Sequence, residues 1–155
     1  MKRITTTIGA IASFALLVLS GCASSARMDP VEKLALFEAA AGEPVQSFRY
    51  FGRISGWTPI DDRNLAVWTR PRQAWLLTIA GSCRDLMWAP AISLTNRTNR
   101  VHAGFDSVRV HRSGPAGTSL PCRISTIRPL DTAKIRDAEK AVSESDQLDE
   151  GAEGE

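Results

Sequence analysis

Few side chains in this sequence combine reactive chemistry with a suggestive spacing. Asp61-Asp62 is the one adjacent carboxylate pair between Glu43 and Leu130. Paired carboxylates bind cations, or split acid and base roles because each shifts the other's pKa. The same dipeptide is ordinary turn material, since Asp hydrogen-bonds its own backbone, and the turn is the preferred reading. His102 and His111 are the only histidines, and neither belongs to a metal-ligand motif. A zinc site takes three or four converging ligands, so it would need a fold that gathers His102, His111 and Asp106. Surface or strand-end histidines are the simpler expectation. There is no Gly-x-Ser-x-Gly elbow, no Gly-rich phosphate loop and no Cys-x-x-Cys. No cofactor or metal is therefore expected. Asp61, Asp62, His102 and Asp106 remain as weak candidates for a small hydrolase or metal-dependent enzyme.

Three cysteines, Cys22, Cys83 and Cys122, are an odd number for an exported chain. Export is what the N-terminus suggests. Lys2 and Arg3 precede an apolar run from Ile8 to Leu19. That run is shorter than the roughly 20 residues of a spanning helix and has the layout of a secretory signal. Leu19-Ser20-Gly21-Cys22 then resembles a bacterial lipobox, which implies cleavage before Cys22 and a diacylglycerol on its thiol; an ordinary cleaved signal with a chance cysteine is the alternative. Two or more acyl chains anchor a protein stably where one does not. Ala23, with no Asp at that position, resembles the sorting pattern for the outer membrane. Giving Cys22 to lipid leaves Cys83 and Cys122 as a disulfide pair, which an oxidising compartment permits. Two separate thiols, or a catalytic cysteine, are the alternatives.

The net charge of +2 hides a segregated pattern. Between Glu43 and Leu130 every Lys or Arg is an arginine, opposed there by Glu43, Asp61, Asp62, Asp85 and Asp106 alone. Asp137 to Glu155 is strongly acidic. Arginines interleaved with Trp57, Trp68, Trp75 and Trp88 superficially suit nucleic acid. An exported address argues against that partner. An anionic envelope ligand, such as a phosphorylated lipid headgroup, or an envelope protein fits a basic face near a membrane better. A solvated strand face, with arginine stems covering apolar surface, is the plain alternative.

The elements that position these residues follow from local pattern. Residues 1–21 read as signal peptide, 22–28 as lipidated tether, 29–130 as the globular domain and 131–155 as an acidic tail. Asp29-Pro30-x-Glu32 is a helix start, and Gly42 with Pro44 a stop, predicting a helix over Pro30–Ala41. Alternation from Val45, over Leu65–Thr69 and over Ala74–Ile79 predicts a three-stranded meander, its third strand apolar on both faces. Ser82 has capping spacing for a helical turn from Cys83 to Ala89. Ala91–Leu94, Ser107–His111 and Cys122–Ile127 read as later strands, with an exposed loop at Ser113–Pro121. Asp131 could cap a helix over Thr132–Val142, and Ser143–Glu155 is expected to be disordered. The tryptophans read mostly as core or barrel wall. The expected fold class is α+β: an N-terminal helix on a mainly antiparallel five- to six-stranded sheet or partial barrel.

Arg53-Ile54-x-x-Trp57, Leu65-x-Val67-Trp68-Thr69-Arg70, Trp75-Leu-Leu, Cys83-x-x-Leu86, Phe105-Asp106-x-Val108 and Cys122-x-Ile124-x-x-Ile127-x-Pro129 together resemble an uncharacterised family of small Gram-negative lipoproteins, a domain of unknown function. The resemblance covers about half the chain and implies an exported, lipid-anchored domain. It implies no activity, cofactor or catalytic residue. The functional expectation is a non-enzymatic binding or structural module on the periplasmic face of the outer membrane.

Overall fold

The computed structural model describes residues 28–111 and 121–152, with side chains as far as residue 144. The segments expected to be a signal peptide and a lipidated tether, Cys22 included, and nearly all of the Ser113–Pro121 loop lie outside the described residues. Along the chain run α1 (Pro30–Ala39), β1 (Ser47–Arg49), β2 (Gly56–Pro59), β3 (Asn64–Arg70), β4 (Gln73–Ile79), a 3-10 turn (Leu86–Trp88), β5 (Ala91–Leu94), β6 (Arg100–His102), β7 (Ser107–His111), β8 (Cys122–Leu130) and α2 (Thr132–Ala152). Six strands form one curled antiparallel half-barrel in the order β2-β3-β4-β8-β7-β5, and β1 with β6 forms a second, small sheet.

Alternation along β3 and β4 builds the two sides of the large sheet. Leu65 pairs with Leu77, and Val67 with Trp75. Leu65, Val67, Leu77 and Ile79 join Ile124, Ile127, Val108 and Val110 in the main core. Their neighbours Ala66, Ala74 and Leu76 face the other way, into a second cluster with Phe37, Ala40, Leu130 and Ile135. β4 is therefore buried on both faces, as its apolar run predicts. Each fully buried Leu, Ile or Val contributes about 1.5–3 kcal/mol, so these two strands carry much of the fold's stability.

The small sheet lies against the main core. Phe48 and Val101 are directly paired across β1 and β6, and both are buried. Phe48 also stacks on Trp75 with centroids 4.8 Å apart and planes 14° apart. Tyr50 follows at 4 % exposure; burial pushes its phenol pKa up, with the Leu94 backbone partly opposing.

The helical layer needs a correction. The long helix is the C-terminal one: α2 has 21 residues and α1 has 10. α1 starts as expected, with Asp29 Oδ1 accepting from the Val31 amide at 2.8 Å and Pro30 in the first turn. Only Phe37 is fully buried from it, and Val31 is exposed, so its apolar stripe is narrower than the sequence suggested. α2 begins where Asp131 Oδ1 accepts from Ala133 N and Lys134 N, and it is docked by Ile135. It continues to Ala152, past Val142 and into the stretch expected to be disordered. From α1 Lys33 Nζ donates to Pro59 O at the end of β2, at 2.7 Å; burial lowers its pKa, and Glu139 of α2 acts against that. Among the described residues no helix is long and apolar enough to cross a membrane.

Two further expectations change. β1 leaves the meander for the small sheet, and β2, unforeseen, takes its place beside β3. The turn after Cys83 is a short 3-10 segment, entered through Asp85 in the left-handed region without a side-chain cap, so Ser82 does not begin a helix.

Candidate functional site

Each chemically suggestive residue has a definite place. Asp61 is a turn residue: its Oδ1 accepts from the amides of Arg63 and Asn64, both at 2.7 Å, and Asn64 Nδ2 contacts both of its carboxylate oxygens. Asp62 acts through its backbone, its carbonyl accepting from Cys83 N at 2.7 Å. Cys83 and Cys122 form a disulfide with a Cα–Cα separation of 5.6 Å. It ties the loop after β4 to the first residue of β8.

Asp106 and His102 do come together, as backbone neighbours. Asp106 is the one buried charged residue described, at 3 % exposure. Its Oδ2 accepts from His102 N at 2.8 Å and its Oδ1 from Thr95 Oγ1 at 2.9 Å. Thr95 Oγ1 in turn accepts from Ser107 N. The carboxylate thus fastens the β6–β7 turn to the end of β5. His111 lies elsewhere, its Nε2 2.9 Å from Ser93 Oγ. Among the described residues no group of three or more His, Cys, Asp or Glu side chains could hold a metal ion.

The arginines make a different arrangement. β1 and β6 place Arg49 directly opposite Arg100. Like charges in direct cross-strand register are destabilising. Neither Arg49, Arg53 nor Arg70 has a carboxylate partner among the described residues. Arg100 is oriented by Ser47, whose Oγ accepts from Nε at 3.1 Å and Nη2 at 2.8 Å. Two clefts open beside this pair. One, of about 260 Å³, is walled by Arg49, Phe51, Arg53, Thr69, Arg70 and Gln73. The other, of about 250 Å³, is walled by Arg49, Phe51, Thr98, Asn99 and Arg100. Phe51 is 61 % exposed between them. Under the first cleft Trp75 Nε1 donates to Thr69 Oγ1, and that hydroxyl donates to Gln73 Oε1. The wall therefore hangs from the stacked Trp75 and Phe48.

The second cleft is built on a costly turn. Thr98 and Asn99 have φ of 49° and 58°, between reciprocal Arg97–Arg100 backbone hydrogen bonds at 3.0 Å. Such a two-residue hairpin favours Asn-Gly, and a β-branched residue in the left-handed region is strained. Thr98→Asn is expected to raise stability by about 0.5–1 kcal/mol, read as a higher urea midpoint with an unchanged slope.

Sequence reasoning identified these arginines by type but missed their grouping. Arg49 and Arg100 are brought together by a strand pair that spans half the domain. The exposed Phe51, Trp88 and Phe105 were equally hidden, and Trp88, at 84 % exposure, is neither core nor barrel wall.

Neither a curated protein nor a solved structure matches the chain. A family model does, over residues 1–146, and it carries the description "family of unknown function". With nearly all of its length matched, the chain belongs to that family, DUF6491.

Proposed function

We propose that the protein is an exported, lipid-anchored binding module, non-enzymatic, that holds an anionic component of the cell envelope at the periplasmic face of the outer membrane. The observation that carries the binding reading is the in-register pair Arg49 and Arg100, flanked by Arg53 and Arg70, with no carboxylate among the described residues that line the two clefts. Its electrostatic cost is offset when an anion sits between the guanidinium groups. Arginine suits this role because its planar fork of N–H donors matches phosphate and carboxylate oxygens two at a time. The address rests on Lys2-Arg3, the apolar run to Leu19 and Ser20-Gly21-Cys22.

Both halves are open to test. Arg49→Glu is expected to weaken binding of pyrophosphate by about tenfold or more, since it inverts a charge shared by both clefts. Calorimetry on the full chain measures this, and wild-type binding should itself weaken as salt is raised. An Arg49→Glu protein that binds as wild type ends the binding reading. For the address, Cys22→Ala should abolish palmitate incorporation in growing cells; retained label would contradict it. The enzyme alternative has no comparable support, because Asp61 and Asp106 are both engaged by the amides of their own turns.

A further inference from the structure

We infer that the site takes one ligand carrying two anionic groups, each in its own cleft, with the connecting segment laid across Phe51. This rests on the anion-binding reading above and specifies its ligand class, a bisphosphate or close equivalent. Two clefts of nearly equal size, about 260 and 250 Å³, share the walls Arg49 and Phe51 and diverge beyond them. Arg53 and Arg70 complete the first, and Arg100 the second. One small anion meets the arginines of one cleft at a time. Two anions on one molecule meet all four, and Arg49, between them, serves both.

Two features fit a bridged ligand better than two independent ions. Phe51 stays 61 % exposed on the shared wall although the chain has a well-formed core to receive it. An exposed ring flanked by guanidinium groups offers apolar surface to a spacer while its neighbours hold the charges. The second cleft is also preorganised. Ser47 takes two N–H donors of Arg100, which fixes the guanidinium and leaves its remaining donors for a ligand. Thr98 and Asn99 hold their wall in a conformation that side-chain-bearing residues adopt at a cost. Preorganised groups lose less entropy when the ligand arrives, and linking two anions makes the second contact intramolecular.

The test is calorimetry on the full-length protein in non-ionic detergent, comparing methylphosphonate with α,ω-alkane bisphosphonates of increasing spacer length. A bisphosphonate of matching span is expected to bind about 100-fold tighter than methylphosphonate. Arg100→Gln should remove that advantage while changing methylphosphonate affinity by about twofold or less, since one cleft survives. Arg53→Gln, at an exposed position, should do the same from the other cleft and guards against misfolding of the first variant. Detergent micelles doped with cardiolipin, two phosphates to a headgroup, or with phosphatidylglycerol at equal phosphate, identify the source. Preference for cardiolipin assigns a membrane headgroup, and binding confined to the soluble bisphosphonates assigns a free ligand; both support the two-anion site. If every bisphosphonate binds within about twofold of methylphosphonate, the statistical factor for two equivalent ends, the two-anion inference fails and the anion-binding reading stands. If no phosphonate binds at all, both fail.

Discussion

Replacing Cys83 and Cys122 together by alanine should lower folding stability by about 4 kcal/mol. The bond closes a sequence separation of 39 residues. In the chain-entropy account a loop of that length restricts the unfolded ensemble by this amount. The bond also braces a specific junction. Cys83 is buried at 1 % exposure within the main core, and its amide is held by the Asp62 carbonyl. Cys122 opens β8 in register with Val108 of β7. Loss of the bond therefore loosens the place where the strand order passes from β8 to β7. Urea denaturation should show the midpoint falling by roughly 2 M for a slope near 2 kcal/mol/M. A loss below about 1 kcal/mol would mean that the bond restrains little.

The second large effect belongs to Asp106. Asp106→Ala should cost about 3–5 kcal/mol, because two charge-assisted hydrogen bonds disappear and part-buried donors lose their acceptor. Those donors are the His102 amide and the Thr95 hydroxyl. Asp106→Asn keeps one acceptor oxygen and should lose about half as much. The contrast with a catalytic role is direct. A general base leaves stability nearly unchanged when replaced and abolishes activity; a turn fastener destabilises in proportion to the bonds it made. Paired urea titrations of the two variants measure the ratio, and an Asp106→Ala protein as stable as wild type would return Asp106 to the list of candidate catalytic groups.

Much of the architecture is written locally in the chain. The start of α1 is legible because Asp29 and Pro30 act on the next turn alone. β3 and β4 are legible because alternation of Leu65, Val67, Leu77 and Ile79 against their neighbours marks two faces. The Cys83–Cys122 pair followed from parity once Cys22 was set aside. What escaped depends on distant partners. β6 is Arg100-Val101-His102, with one apolar residue, and becomes a strand only because Ser47–Arg49 pairs with it. β2 runs from Gly56 to Pro59, residue types that argue against a strand, and is held at the sheet edge by β3. Ser82 had capping spacing, yet the chain there is held by the Cys83 amide on Asp62 and by the disulfide instead. These are tertiary constraints overriding a local preference.

The candidate site divides the same way. The scarcity of carboxylates in the arginine-rich body is a matter of composition, visible in the chain. The opposition of Arg49 and Arg100 is a matter of register, and a one-residue slip would send the two side chains to opposite faces. Phe51 lies just beyond β1, where neither alternation nor helical period applies. His102 and Asp106, close in sequence, drew attention as a catalytic or metal pair. The fold uses their closeness to tie a turn.

The central claim is that these arginines meet an anion on this face of the small sheet. The most direct measurement is a pyrophosphate titration of the full-length, amide-labelled protein followed by NMR. The account predicts saturable, salt-sensitive shifts at Arg49, Phe51, Arg53, Arg70, Thr98, Asn99 and Arg100, with the amides of Asp61 and His111 unmoved. Absence of saturable shifts, or shifts centred on Trp88 and Phe105 instead, would contradict it.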